Sequence, residues 1–313
     1  MNHFKNFIDV FDDEIDSLKY VISNLDKKNI NKIIEKILNI EGRLIVSGIG
    51  KSGHIGKKIA STLASTGTHS FFIHSTEAFH GDLGMINSND ALLLISYSGE
   101  TDEVLKVLDY ANKNNIITLS ITGNDSSTLA TNSTFHICSN IIDEACSLNL
   151  APTSSTTATL ILGDAIAICL MKAKKFNEID FAKYHPGGSL GKRLLTKVND
   201  VMIINNLPIV SNRMNIMEII FKISECGYGI AFLVEKNKLV GVITDGDIRR
   251  SFNNDKSFKN SKIVDLINKE YKFANLESNL EEIKNIMRDN KIITLPVIDS
   301  NKKILGLVQY YDI

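Results

Sequence analysis

Five short, almost wholly apolar runs, near residues 43–47, 70–74, 91–96, 116–121 and 134–138, constrain the fold more than any other feature. Near-continuous apolar stretches such as 44–46 and 91–95 indicate strands with neither face in water. Helix-period patterns lie between several of them, with Val104, Leu105, Val107, Leu108 and Ala111 on one face. Such strands alternating with amphipathic helices predict a parallel sheet covered on both sides, with ligands at the carboxyl ends of the strands. Ahead of the sheet, Phe4, Phe7, Ile8, Phe11, Ile15, Leu18, Val21, Ile22 and Leu25 recur at helical spacing, and a second helix is expected around 29–40.

The character changes after about residue 197. "KLVGVITDGDI" (238–248) returns as "KILGLVQYYDI" (303–313), "NIMEIIFKI" (215–223) answers "NLEEIKNIM" (279–287), and Asp200 answers Asp265. A constant offset of 64 to 65 residues marks a tandem repeat, each unit a helix, two strands and the start of another helix. Paired units of this kind bury their faces against each other. The expected division is therefore 1–196, 197–257 and 258–313, with "NNDKSFKNSK" (253–262) as the polar joint of the repeats.

A charged fraction of 23% and a net charge of −1 argue against nucleic acid or an anionic membrane as partner. The N-terminus is acidic and amphipathic, unlike a secretory signal. The longest apolar stretch, 158–171, contains Asp164 and reads as a buried helix too short to span a bilayer. Cys138, Cys146, Cys169 and Cys226 form no C-x-x-C pair, which suits a reducing cytoplasm.

The first apolar run enters "SGIGKSGHIGKKIA" (47–60), a glycine turn opening a helix, and such turns hold phosphates. Gly48, Gly50 and Gly53 satisfy G-x-G-x-x-G, but a dinucleotide site needs an acidic residue at the end of the next strand. His74 and Ser75 stand there, and Glu77 comes only later. The nucleoside triphosphate loop would need glycine where Ile45 stands. Ser47, Gly48, Gly50 and Ser52 are instead candidates for a smaller phosphate. Two more helix openings are rich in hydroxyls: "SYSGETDEV" (96–104), with Ser96, Ser98 and Thr101, and "APTSSTTATL" (151–160), with Thr153, Ser154 and Thr156. Any one of these could simply cap its helix. Three such openings together suit one phosphate and a polyol chain, so a sugar phosphate is the expected ligand. Lys51 in the glycine turn, Glu103 one turn into a helix, Glu144 in "DEACSL" and His185 in "YHPGGSLG" are the titratable candidates beside them. Glu103 could equally complement its helix dipole, and Glu144 could be a solvent-facing acid. "TEAFHGDLGM" (76–85) sets His80 beside two carboxylates, with no second histidine at a ligand spacing.

On these segments the chain resembles the bacterial D-arabinose 5-phosphate isomerases, which join a sugar-isomerase (SIS) domain to a pair of CBS units. The carrying motifs are "GIGKSGHIGKKIASTLASTGT", "EAFHGDLGM", "SYSGETDE", "EAC", "LAPTSSTTATLILGDAIA" and "HPGGSLGKRLL", in this order. The resemblance implies an α/β SIS-type parallel five-stranded sheet flanked by helices, followed by a tandem CBS (α+β) pair. It implies interconversion of D-ribulose 5-phosphate and D-arabinose 5-phosphate for Kdo supply to lipopolysaccharide. It further implies a cytoplasmic homotetramer whose subunits share sites, and no required cofactor. The family's catalytic lysine, two glutamates and histidine fall on Lys51, Glu103, Glu144 and His185, and its inhibitory zinc histidine on His80. "TDGDIRR" keeps the threonine and aspartate with which CBS units hold ribose, so a nucleotide or sugar-nucleotide ligand is expected there. The second copy departs, with Gln309 in place of Thr244 and the sequence ending at Ile313, where its last helix would start.

Metal-free isomerisation needs a carboxylate or imidazole of near-neutral pKa as base and a cation or donor near the oxyanion. Glu144 is the expected base between C1 and C2, and His185 the group for ring opening or the oxygen shuttle. Lys51 would stabilise the oxyanion or phosphate, with Glu103 orienting it or assisting proton transfer. A non-catalytic sugar-phosphate sensor and an isomerase of another aldose–ketose phosphate pair are the rival readings. A transcriptional sensor would carry a helix-turn-helix and a basic face, which the first 40 residues lack.

Overall fold

A computed structural model describes residues 3–254 and 263–313. The chain's internal contacts divide it into two compact units, Met1–Phe181 and Ala182–Ile313. The expected 257/258 boundary, and most of the joint at 253–262, lie outside the described residues.

In the first unit, α1 (His3–Asn24) and α2 (Lys27–Leu38) precede an alternation of strand and helix. It runs β1 (Leu44–Gly48), α3 (Gly50–Ser65), β2 (Ser70–His74), β3 (Ala91–Ile95), α4 (Asp102–Lys113), β4 (Ile117–Thr122), α5 (Thr128–Asn132) and β5 (Phe135–Cys138). Two 3₁₀ turns, Glu77–His80 and Asp82–Met85, lie between β2 and β3, and the long α6 (Ser154–Ala173) follows β5. The strands form one parallel sheet in the order β2-β1-β3-β4-β5, as the alternation predicts.

The sheet is covered on both faces. Leu44 and Val46 of β1, with Leu93 and Ile95 of β3, join a core containing Ile33, Ile59, Leu63 and Ala167 from the flanking helices. The intervening Ile45, Leu92 and Leu94 point the other way, into Val104, Val107, Leu108 and Ala111 of α4. Gly48 pairs in register with both His74 and Ile95, so the carboxyl ends of three strands are level. β1 is followed by β2 on one side and flanked by β3 on the other, which makes this edge the topological switch point.

Two features differ from expectation. α6 is 20 residues long and, by length and composition, is the one helix among the described residues that could cross a membrane. Half of its apolar window is buried, and it packs against α1, α2 and α3. The apolar positions of α1 are helical as expected, yet Phe4, Phe7, Phe11 and Ile15 stand exposed while Val21 is buried.

The second unit opens with α8 (Ser189–Leu195) and α9 (Val198–Val201), after α7 (Glu178–Tyr184), which contains the division between the units. α8 is tied to the repeats: Arg193 pairs with Glu281 at 3.2 Å, and the Leu280 amide donates to Thr196 O at 3.1 Å. Residues 182–196 thus group by contact with the repeats, whereas the sequence reading placed them in the first domain. The first repeat carries β6 (Ile209–Val210), α10 (Ile216–Cys226), β7 (Ile230–Glu235), β8 (Lys238–Thr244) and α11 (Asp245–Asn254). The second carries α12 (Leu280–Asp289), β9 (Thr294–Ile298) and β10 (Ile304–Gln309), ending in a 3₁₀ turn at Tyr310–Asp312. Ile230, Phe232 and Val242 of one repeat share a core with Ile298 and Leu307 of the other.

Candidate active site

At the end of β1 the backbone must turn sharply into α3. Gly50 takes φ +58°, a left-handed conformation that favours glycine, and a Cβ there would meet nothing. Gly48 is glycine for a different reason: a Cβ would stand 3.1 Å from Ile95 O and 3.3 Å from Gly53 N. Ile49 occupies the N-cap position with no side-chain cap, so the first amides of α3 have no partner from the cap side chain. Lys51 and Ser52 lie in that first turn, Lys51 exposed. This is a ready anion site. Ser47 is not part of its surface, because it is buried in β1 and bonded to Ser75 Oγ at 2.9 Å.

The second opening, after β3, is knit from its own hydroxyls. Buried Ser96 accepts from Gly99 N at 3.1 Å and shares a hydrogen bond with Thr101 Oγ1 at 2.8 Å. Thr101 is the N-cap residue of α4 but makes no capping bond with its side chain. Ser98 is exposed and accepts from Glu100 N at 3.2 Å. Gly99, at φ +69°, lies against Ser127. Glu103 is half-buried in the first turn of α4, near the positive end of its dipole.

The third opening is filled from within the chain. Glu144 Oε2 accepts from Thr153 N at 2.7 Å, Thr153 Oγ1 at 3.1 Å and Ser155 N at 3.2 Å, and Oε1 accepts from Ser155 Oγ. Thr153, the N-cap residue of α6, makes no capping bond itself. A carboxylate nine residues upstream replaces it, at the positive end of a 20-residue helix. The α6 opening, expected as part of a phosphate site, therefore already holds an anion. Burial pushes the Glu144 carboxyl upward, but the Ser155 and Thr153 donors outweigh it and hold the group below its ordinary range. A base of near-neutral pKa is expected here, whereas these donors favour the charged carboxylate.

Lys51, Ser52, Glu144 and Thr156 line one cleft of about 560 Å³, together with Ser155, Tyr97 and the apolar Ile49, Ile55, Ile141, Leu150 and Pro152. Two of the four titratable candidates, Lys51 and Glu144, thus share a pocket. Ser154 is buried beside it, and its hydroxyl makes no hydrogen bond among the described residues. Tyr97 and Ser155 escaped the sequence reading, although both sit inside the hydroxyl-rich segments. The Tyr97 phenol accepts from Ile141 N at 3.4 Å, and burial raises its pKa. His185 belongs to the second unit, where its carbonyl accepts from Gly188 N at 3.1 Å to form the Pro-Gly-Gly turn, and Gly191 packs directly on that carbonyl. His80 is exposed at the end of its 3₁₀ turn. Among the described residues no three histidine, cysteine or acidic groups converge as metal ligands.

Comparison with known proteins decides the family. The SIS domain profile matches residues 37–169 and the CBS domain profile matches 198–254 and 263–313. Arabinose 5-phosphate isomerase KdsD of Francisella tularensis is 43% identical over 316 aligned residues, covering 100% of this chain and 96% of that protein. Arabinose 5-phosphate isomerase KpsF of Escherichia coli O6:H1 is 41% identical over 297, covering 95% and 90%. The chain belongs to the arabinose 5-phosphate isomerases. A solved structure, E. coli CFT073 c3406 in complex with arabinose 5-phosphate, is 38% identical with a TM-score of 0.57, covering 59% of this chain and 98% of that one.

The enzyme is thus an aldose–ketose phosphosugar isomerase of the SIS fold with a CBS pair. In its CBS pair a second cavity of about 630 Å³ is lined by Tyr228, Thr244, Asp247, Arg249, Lys272, Lys291, Gln309 and Tyr311. Thr244 Oγ1 donates to Asp247 Oδ2 at 2.7 Å, and Arg250 pairs with Asp247 Oδ1 at 2.6 Å. Burial raises the Asp247 carboxyl, but its Thr244 and Arg250 partners outweigh it and keep it low. In the second repeat Gln309 turns to Thr294 Oγ1 at 3.4 Å, so that half offers no matching threonine–aspartate pair.

Proposed function

We propose that this isomerase interconverts D-ribulose 5-phosphate and D-arabinose 5-phosphate by metal-free proton transfer through an enediolate. The observation that carries the reading is that Glu144 shares one cleft with Lys51, which lies at the uncapped opening of α3. A phosphate fits the first amides of α3 and the hydroxyls of the 96–101 loop. From the ketose, Glu144 removes a C1 proton; the C–H pair forms the C1–C2 double bond and the carbonyl pair moves onto O2. Lys51 stabilises that oxyanion or the phosphate. Glu144 returns its proton to C2 as the C1–C2 pair takes it up, while the separate O1 hydroxyl proton moves to O2 and leaves its pair as the C1 carbonyl, which completes the aldose. His185 opens the ring or shuttles the oxygen-bound proton, and Glu103 orients Lys51. The relative solved with arabinose 5-phosphate supports a five-carbon sugar phosphate.

Zinc acts as an inhibitor through His80 and no cofactor is required. The exposed phenylalanines of α1 suit burial against other copies in a homotetramer, and the four free thiols suit the cytoplasm. The product would supply Kdo biosynthesis, and a nucleotide or sugar nucleotide would bind at Thr244 and Asp247. Assay of the purified chain against a panel of pentose and hexose phosphates tests the substrate. Turnover of a hexose phosphate in preference to both pentose phosphates would replace this pair with another.

A further inference from the structure

Glu144 is pinned at both ends. Its amide donates to Asn149 Oδ1 at 2.7 Å, Asn149 Nδ2 donates to Asp143 Oδ1 at 2.7 Å, and the next amide, Ala145 N, donates to Thr153 Oγ1 at 2.9 Å. The loop is thereby tied to itself and to the opening of α6. The two carboxylate oxygens differ. Among the described residues Oε2 receives three donors, whereas Oε1 receives one, the Ser155 hydroxyl. Each carboxylate oxygen has about two lone-pair sites, so Oε2 is saturated and Oε1 keeps one. Both Glu144 and Ser155 line the cleft, and Ser155 itself is 2% exposed, which holds its side chain in place. The other titratable side chains that line the same cleft are Lys51 from α3, Tyr97 from the loop after β3 and the adjacent Asp143.

We propose that Ser155 is a positioning residue for isomerisation: its hydroxyl fixes the Glu144 carboxylate so that Oε1 alone is left to take the substrate's carbon-bound proton. This rests on the reading of Glu144 as the base. Ser155 acts through Glu144 and not on the sugar, so its loss falls on kcat and not on KM. The same hydroxyl favours the charged carboxylate, so its loss also changes how activity falls with acid.

The test is Ser155→Ala in the full-length chain, with kcat and KM measured from pH 5 to pH 9 beside wild type and Glu144→Gln. A hydrogen bond to a charged group corresponds to roughly ten- to a hundredfold. The expected result is a kcat lower by about that factor across the range, with its acid limb moved to higher pH and KM within about twofold. Ser155→Thr, which keeps the hydroxyl, restores most of the loss. If Ser155→Ala does not fold, Ser155→Cys fills the site with a weak donor and carries the same expectation. An unchanged kcat overturns the proposal, as does an equal loss at every pH that Ser155→Thr does not relieve. A Glu144→Gln enzyme with full activity would remove the underlying reading instead, so the two failures are distinct.

Discussion

The Thr153 amide, at the opening of α6, donates to the Glu144 carboxylate at 2.7 Å across a nine-residue loop. Through that bond one side chain serves as helix cap and as the candidate base of the cleft. Glu144→Gln keeps the volume but removes the charge. It is expected to lower turnover by roughly 10²–10⁴-fold, the range for losing a general base. Loss of the anion at the α6 dipole should also destabilise the fold by about 1 kcal/mol. Steady-state kinetics with thermal melts check both.

Catalysis should survive chelators, since the proposed mechanism places an ammonium where a metal would otherwise stabilise the oxyanion. Activity after EDTA treatment and desalting is expected to stay within about twofold of the untreated enzyme. Added zinc should inhibit, and His80→Ala should blunt that inhibition. Activity lost to EDTA and restored only by metal would count against the proton-transfer scheme.

Much of this architecture is legible in the chain. The five apolar runs become β1 to β5 to within a residue or two, because strands buried on both faces leave an unmistakable composition. The repeat is equally plain, because its two copies keep one spacing. The burial of Ser47 against Ser75 is not legible, since a hydroxyl in a strand gives no sign of whether it faces solvent or a neighbour. The capping of α6 by Glu144 is invisible for another reason: the 139–153 loop has no period, and only its folded path brings Glu144 to Ser155. The five-residue α5 is too short to show a helical period at all.

Asp90 anchors the opposite end of the sheet. It is 2% exposed and accepts from Arg43 Nη2 at 2.8 Å, Arg43 N at 2.7 Å and Asn87 N at 2.8 Å. Burial raises its pKa, but Arg43 and the two amides outweigh that and lower it. A depressed carboxylate contributes stability that is complete above its unfolded pKa of about 3.9 and lost as pH falls through the lower folded value. Asp90→Asn should therefore destabilise by about 2 kcal/mol at pH 7, with the difference shrinking as wild type and variant are compared below pH 4. Urea unfolding at both pH values gives the comparison.

Gly99 at φ +69° beside Ser127 sets the path of the 96–101 loop. Gly99→Ala adds a Cβ in a left-handed conformation and against a neighbour, at a cost of roughly 1–3 kcal/mol. Gly50→Ala, with open space around its Cβ, should cost about 1 kcal/mol. The KM for sugar phosphate should rise more in Gly99→Ala than in Gly50→Ala, and parallel melting and kinetic curves show whether it does.

Solvent deuterium exchange into the substrate isolates enolisation from ring opening. Wild-type enzyme in deuterium oxide should place deuterium at C1 of the ketose and C2 of the aldose, read by NMR. Glu144→Gln should slow that exchange by at least about a hundredfold while sugar-phosphate binding changes little. Exchange by Glu144→Gln at the wild-type rate would contradict the account and remove Glu144 from the proton transfer.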